Sequence, residues 1–216
     1  MGPDELRQQL ADNLALAART RMVEAMATAY KDTASRFDAT IGSDAQWFGF
    51  SVWKCGVYRL SQTAADGSMG VRVEIANGQL RLAFGPFIMS PYSCGLMAPD
   101  DPWSHFPTND KGAGFLSDVN TGQLSFALSG VETAAPIALV LGHYGNHDSG
   151  LEALYLKVPS DQRGGQICEW SYIEPLWRAD SGMSPASADF PRPVPIGRPS
   201  LSLKHNLTSV RRDESA

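Results

Sequence analysis

The clearest hydrophobic pattern lies near the start of the chain. Apolar positions recur about every fourth residue from Asp4 to about Phe37, the period of one face of an α-helix. Pro3 suits a first helical turn, and the two acidic residues after it favour the positive end of the helix dipole. The pattern predicts an amphipathic helical segment over residues 1–40. Unbroken, this helix would span about 45 Å. We therefore expect either a break near residues 19–21, with both pieces on the chain's own sheet, or a far end that packs on a partner.

The next segment, Trp47 to Leu60, carries two patterns at once. Apolar residues at every fourth position favour a helix, whereas the aromatic and β-branched content favours a strand. Ser43 or Asp44 suits a helix start and Asp66–Gly67 a stop, so helix is the preferred interpretation and strand stays open.

From Val71 onward the apolar period changes to two. Two alternating runs flank Asn77–Gly78, the dipeptide that two-residue hairpin turns favour because both residues adopt positive φ. Further strands are predicted over residues 87–92, 123–128, 137–142, 151–158 and 167–173. Turn-rich, short connections favour antiparallel neighbours. The predicted fold class is therefore α+β, with one or two N-terminal helices packed on a mainly antiparallel β-sheet.

The end of the chain has a different composition. Residues 179–216 are rich in Pro, Ser and Arg and offer little to bury, so we predict a disordered C-terminal tail. The α+β core domain is then expected over residues 41–178. A Pro-x-x-Pro ligand role for the tail is a further hypothesis.

Composition limits the classes of partner. The 216 residues are 43% hydrophobic and 19% charged, the balance of a globular protein. A net charge of −5 offers no attraction for a phosphate backbone, so we expect no nucleic-acid partner. Since no apolar run approaches the roughly 20 residues of a membrane helix, we expect no membrane association either.

Cysteine content and the N-terminus indicate a compartment. Cys55, Cys94 and Cys168 are widely spaced and form no CxxC pair, so neither a disulfide framework nor a thiolate zinc site is suggested. The N-terminus has no basic region ahead of an apolar stretch, so we expect no secretory signal. Both observations favour a cytoplasmic protein with reduced thiols.

One motif carries potential metal chemistry, the Gly-Asn-His-Asp of residues 145–148, which follows a buried-looking apolar run. It resembles the metal-binding Gly-Asn-His block of calcineurin-like phosphoesterases, in which Asn and His help to hold two metal ions. That resemblance implies a metal-dependent hydrolase centred on this loop. The Asp-x-His and Gly-Asp blocks that accompany the motif in that family are absent here.

Two other interpretations of the same loop stay open. The first is a chain reversal between two strands, since Asn, Asp and Gly are the residues that such turns favour. The second is a mononuclear metal site formed by His143, His147 and Asp148. Cys168, Glu169 or His105 could complete such a site. The turn is the preferred interpretation, because His at i and i+4 converge only in a helix.

A second candidate region is an aromatic loop punctuated by prolines. Trp103, His105 and Phe106 could line a ligand groove or form an interaction surface, and simple loop packing is the alternative. A nucleophile–base pair of Cys94 or Cys168 with His105 or His143 has no local support in the sequence. No nucleophile elbow, Walker loop or dinucleotide-binding fingerprint is present.

Several stretches resemble an uncharacterised family of bacterial, largely actinobacterial, proteins. They are Phe48 to Trp53 with Tyr58 to Leu60, Phe106 to Asp110, Leu139 to Asn146 running into Gly150 to Leu156, and Glu169–Trp170. The resemblance implies a cytoplasmic domain over most of residues 45–178. It implies no activity.

Because no catalytic set is complete, the leading prediction is a non-catalytic protein-interaction or regulatory module without a cofactor. It would bind a protein partner, or associate with itself, through the N-terminal helix. The alternative is a metal-dependent, phosphoesterase-like hydrolase, and the second alternative is a small-molecule-binding domain near Trp103 and His105.

Overall fold

The computed structural model describes residues 2–67, 69–76, 79–106, 136–163 and 166–181. Within these ranges three α-helices precede six β-strands. The helices are α1 (Pro3–Asn13), α2 (Leu16–Ala34) and α3 (Ala45–Ala65). The strands are β1 (Arg72–Ala76), β2 (Gln79–Phe84), β3 (Phe87–Gly95), β4 (Ile137–Asn146), β5 (Gly150–Arg163) and β6 (Gln166–Arg178). The predicted α+β class is confirmed. The predicted strand at 123–128 and nearly all of the predicted tail lie outside the described residues.

The N-terminal segment is two helices, and the break lies earlier than predicted. Leu14 has extended backbone (φ −127°, ψ 92°), which ends α1, and α2 begins at Leu16. The side chain of Leu14 is buried by this change of direction. Its carbonyl, which the helix leaves without an intrahelical partner, accepts a hydrogen bond of 3.0 Å from Arg19 Nε. Arg19 also pairs with Glu174 of β6, so the junction is attached to the sheet.

The ambiguous segment is a helix, which confirms the preferred interpretation. Asp44 is the N-cap of α3, and its carboxylate accepts the backbone N–H of Trp47 at 2.7 Å. The helix ends at Asp66, followed by Gly67 with φ 76°. The helical spacing of the apolar residues outweighs the β propensity of the segment, because a helix buries residues 48, 52, 56 and 60 on one face.

All six strands belong to one sheet, in the order β1-β2-β3-β4-β5-β6. β1 and β2 pair antiparallel with Ala76 opposite Gln79, which confirms the predicted hairpin. One pairing differs from the expected meander: β3 and β4 run parallel, with Phe87 opposite Ile137. The connection between them, residues 96–136, is long enough to return the chain to the same end of the sheet.

The sheet has two unlike faces. On the helix face, alternate strand residues form one apolar core with the three helices; its members include Leu10, Met22, Met26, Leu60, Leu82, Met89, Leu139, Leu141, Leu154 and Leu156. On the outer face, smaller clusters form around Val140 and Trp170 and around Tyr144 and Tyr155. Segment 98–106 covers part of this outer face through contacts with β5 and β6.

None of the helices in the described ranges combines the length and the apolar character that a bilayer span requires.

The contact of α2 with α3 depends on a small residue. A Cβ added at Gly56 would lie 3.0 Å from Met26 Sδ and 3.2 Å from Met26 Cε. We predict that Gly56→Leu lowers the free energy of unfolding by about 1–3 kcal/mol, because the added side chain separates the two helices. Gly49→Ala, in the same helix with nothing within 4 Å of the added Cβ, is the control. It should raise stability by up to about 1 kcal/mol. Urea titration of both variants tests this; equal effects would show that α2 and α3 are not in close contact.

Candidate functional site

The Gly-Asn-His-Asp stretch is a turn. Asn146 closes the hairpin of β4 and β5: its Oδ1 accepts the backbone N–H groups of Asp148 at 2.9 Å and Ser149 at 3.0 Å. Gly145 is required by a close approach, since a Cβ there would lie 2.1 Å from the carbonyl oxygen of Gly150. The predicted chain reversal is therefore confirmed, with the strands paired antiparallel on either side.

The turn is also attached to the segment that follows β3. Asn146 Nδ2 donates to the carbonyl of Leu96 at 3.0 Å. Glu152 accepts the backbone N–H of Ala98 at 2.7 Å and the hydroxyl of Ser149 at 2.6 Å. Asn146 and Glu152 thus join the turn to the chain after β3.

His143 lies under the helices, on the helix face of β4. Its Nδ1 shares a hydrogen bond of 2.8 Å with the hydroxyl of Tyr30 on α2. Within the described residues its buried Nε2 has no hydrogen-bond partner. Burial lowers the pKa of His143 to about 4, so the imidazole is neutral at pH 7.

His147 is at the tip of the hairpin and contacts different residues. Its ring stacks on Phe37 with 4.0 Å between centroids and meets the edge of Phe48. Its Nε2 lies 3.5 Å from the Asp148 carboxylate, which is largely exposed. The arrangement joins the hairpin to the chain between α2 and α3.

The three candidate metal ligands are not gathered around one point. His143 faces Tyr30, whereas His147 stacks on Phe37 and Asp148 faces solvent. In the parts of the chain that the structure describes, no group of three or more His, Cys, Asp or Glu side chains could hold a metal ion. The side chain of Cys168, which was a candidate fourth ligand, lies outside the described residues.

A buried lysine occupies the outer face of the sheet. Lys157 on β5 is 0% exposed, and its ammonium lies 4.9–5.7 Å from the ring centroids of Tyr144, Tyr155 and Trp170. It donates to the carbonyl of Pro102 at 2.7 Å, the carbonyl of His105 at 3.1 Å and the hydroxyl of Tyr144 at 2.9 Å. An ammonium has three N–H donors, and all three are engaged within the chain.

The neighbouring thiol is not a nucleophile. Cys94 on β3 lies on the outer face beside Tyr144, so it is on the opposite side of the sheet from His143. Burial raises the pKa of the Cys94 thiol to about 11, against the opposing effect of Lys157. The thiol therefore stays protonated at neutral pH, and the pairing of Cys94 with His143 as nucleophile and base has no geometric support.

The aromatic loop of Trp103, His105 and Phe106 packs onto the sheet. Phe106 stacks on Trp170 with 5.4 Å between centroids and 8° between planes. The carbonyl of His105 accepts from both Lys157 and Trp170 Nε1, while its imidazole is exposed. Trp103 is about half-exposed, at 49%. An interaction role for these three residues stays a prediction.

A further surface with exposed aromatic residues is the outer side of α3, opposite the face that enters the core. Trp47, Phe50 and Tyr58 lie along it and are 37%, 59% and 52% exposed. At roughly 100 Å² of water contact for each half-exposed aromatic ring, they present about 300 Å² of apolar surface, the size of functional patches on monomeric proteins. We call these three residues, together with Lys54, the α3 stripe.

Lys54 lies between the aromatic residues of the α3 stripe. Its ammonium is 5.5 Å from the ring centroid of Phe50 and 5.1 Å from that of Trp53. Among the residues that the structure describes, no carboxylate is within ion-pair distance of Lys54. Arg59, one turn further along, is instead paired with Asp32 at 2.5 Å.

The α3 stripe is not among the sites predicted from the sequence. A signal was present: once residues 48, 52, 56 and 60 are assigned to the core, positions 47, 50, 54 and 58 must face outward. Aromatic residues at outward positions are unusual because polar residues normally occupy them.

The chain matches no protein-family model, no curated protein and no solved structure. The resemblance to an uncharacterised bacterial family therefore stays a prediction, and the functional argument depends on the geometry alone.

The buried imidazole should make the fold sensitive to acid. Because the folded-state pKa of His143 is about 4 and the ordinary value is 6.5, the unfolded chain binds the proton first as pH falls. The free energy of unfolding should therefore decrease from pH 6.5 to pH 4, by about 3 kcal/mol in total from this group. His143→Gln keeps an acceptor for Tyr30 but cannot titrate, so it should lose that part of the slope. His147→Gln, at the exposed tip, should keep it. Urea unfolding across this pH range is the measurement, and an unchanged slope in His143→Gln would contradict the assignment.

Lys157 should hold segment 98–106 on the sheet. Lys157→Met removes one donor each from the carbonyls of Pro102 and His105 and from the hydroxyl of Tyr144, of which only His105 keeps Trp170 Nε1 as a second donor among the hydrogen bonds described above. We predict a loss of about 2–4 kcal/mol of unfolding free energy. In Lys157→Met, the rate of backbone amide hydrogen exchange should increase more in segment 98–106 than in the core strands. Lys31→Met, at an exposed position of α2, should change stability by less than about 0.5 kcal/mol. Uniform acceleration along the whole chain would contradict a local role.

Proposed function

We propose that this protein is a non-catalytic protein-interaction module and that the α3 stripe is its binding surface. The observation that carries the proposal is the exposure of Trp47, Phe50 and Tyr58 on one side of a helix whose other side is buried in the core. Folding leaves more than half of Phe50 and Tyr58 exposed to water, and it leaves 37% of Trp47 exposed although that ring also contacts Phe37. A binding partner can bury this remaining surface. Large aromatic residues of this kind contribute most of the energy at many protein interfaces.

The chemistry of the buried polar groups supports a non-catalytic role. The three donors of Lys157 are used by the chain, and the Cys94 thiol is protonated. The imidazole of His143 is enclosed beneath α2. A catalytic acid, base or nucleophile needs a proton or lone pair that a substrate can reach, and these groups offer none.

The proposed binding surface differs from the one first expected. The apolar face of the N-terminal segment packs on the chain's own sheet through Leu6, Leu10, Leu14, Ala18 and Met22. That face is therefore used within the fold, which moves the proposed partner surface from the N-terminal helices to α3. A cytoplasmic location remains part of the proposal, and the free thiols of Cys55 and Cys94 support it.

Photo-crosslinking in cells that produce the chain tests the proposal. Phe50 is replaced by p-benzoylphenylalanine, which keeps an aromatic ring at the stripe. The control carries the same group at Leu16, an exposed apolar residue at the start of α2 (79% exposed) that lies outside the stripe. We expect one discrete adduct from position 50 and none from position 16. Tyr58→Ser in the same chain should reduce the adduct about tenfold or more, as truncation of an interface aromatic does. Equal labelling from both positions, or none from position 50, would contradict the proposal.

A further inference from the structure

The α3 stripe also specifies the chemistry of its partner. We infer that the partner is a protein with an apolar groove that places a carboxylate opposite Lys54. The inference rests on the proposed function, and it goes further by assigning a role to the one charge inside the stripe. The geometry that points to it is an exposed helix face on which the Lys54 ammonium lies against the ring of Phe50, with Tyr58 one turn further along the helix.

The spacing of the stripe is that of a helix that docks into a groove. Phe50, Lys54 and Tyr58 are four residues apart, and Trp47 precedes Phe50 by three, so the four side chains follow one line along about 17 Å of α3. Side chains at these intervals bind in grooves that accept one side of an amphipathic helix. Here α3 is the inserted element, and it is already held in helical form by the core.

Charge complementarity identifies the group that faces Lys54. A groove closing over Phe50 and Tyr58 removes water from the ammonium between them. An ammonium that loses water without a partner is strongly unfavourable. Lys54 is exposed and the described residues supply no carboxylate to it, so the inferred partner provides one.

A second copy of this chain does not meet these requirements. Two stripes packed about a two-fold axis, with Phe50 against Tyr58 of the other copy, bring the two Lys54 ammonium groups together. Two convex helix faces also bury only about 600 Å² from the stripes, roughly half of what a stable interface needs. A concave groove reaches the sides of α3 as well as its outer line and so encloses more surface.

A lipid surface is also disfavoured by charge. The stripe holds a single cation, and each basic residue near an anionic bilayer contributes only about 1 kcal/mol. The exposed residues Asp44 and Asp66 lie at the two ends of the helix and would be repelled. Aromatic rings and one lysine alone do not favour anionic lipid over protein.

The test varies the charge at position 54 in the full chain that carries p-benzoylphenylalanine at position 50. Lys54 is exposed, so Lys54→Arg, Lys54→Met and Lys54→Glu should all fold, and circular dichroism verifies this. We expect Lys54→Arg to keep the adduct within about twofold. Lys54→Glu should reduce the adduct yield about tenfold or more, because a buried charge pair is replaced by two like charges. Lys54→Met should give a yield between those of Lys54→Arg and Lys54→Glu. The position of the crosslink identifies the acidic residue of the partner that faces position 54. Substitution of that residue by Lys should restore binding to the Lys54→Glu variant.

The outcomes separate this inference from the proposed function. An adduct that is equally strong in all three variants would overturn the carboxylate and leave the interaction module intact. No adduct even in the Lys54 parent would overturn the proposed function itself. Co-sedimentation with phosphatidylcholine–phosphatidylglycerol vesicles that is lost in Phe50→Ser would overturn a protein partner in favour of lipid. A dimer by light scattering that is lost in Tyr58→Ser would overturn it in favour of self-association.

Discussion

The fold depends on a single apolar core that three helices share with one face of the sheet. Leu10, Met22 and Leu60, one from each helix, meet the strand residues Leu82, Leu139 and Leu156 in that core. Each helix uses one side for this contact. For α3 the inward side includes residues 48, 52, 56 and 60. On the opposite side Phe50 and Tyr58 are more than half exposed, whereas Trp47 contacts Phe37 at the edge of the core. The exposed rings of Phe50 and Tyr58 are therefore the surface on which the proposed interaction depends.

The polar groups inside the molecule have structural reasons. Lys157 donates to the carbonyls of Pro102 and His105 and so attaches segment 98–106 to the outer face of the sheet. His143 joins β4 to α2 through Tyr30, and Asn146 joins the β4–β5 turn to the chain after β3. Buried ionisable residues often mark active sites. Here the buried polar side chains are hydrogen-bonded to other parts of the same chain. Their role is therefore to connect structural elements.

Periodicity predicts much of this fold. The helix over residues 45–65, the Asn77–Gly78 hairpin and the reversal at Asn146 all follow from local patterns with a known physical cause. Three features do not. The break at Leu14 has no Gly or Pro to signal it and depends on Arg19 reaching the freed carbonyl. The parallel pairing of β3 with β4 joins strands that are too far apart in the sequence for a local pattern to set their relative direction. The burial of Lys157 depends on carbonyls 52 and 55 residues away in the sequence.

The site was harder to predict than the fold. His143 and His147 are close in the sequence and both can bind metal, but the sequence pattern does not show that His143 contacts Tyr30 whereas His147 contacts Phe37. The α3 stripe was visible only after the helix assignment had fixed which side faces inward. Trp103 and Phe106 illustrate the same limit, because an aromatic loop in sequence does not reveal whether its rings pack inward, as Phe106 does on Trp170.

The central claim is that folding leaves the outer side of α3 in water. Hydroxyl-radical footprinting of the isolated full chain measures this directly, residue by residue. Phe50 and Tyr58 should oxidise at rates close to those in the urea-unfolded chain, whereas the buried Tyr30 and Tyr144 should be strongly protected. Protection of Phe50 and Tyr58 to the level of Tyr30 would contradict the account, because the stripe would then be covered within the chain.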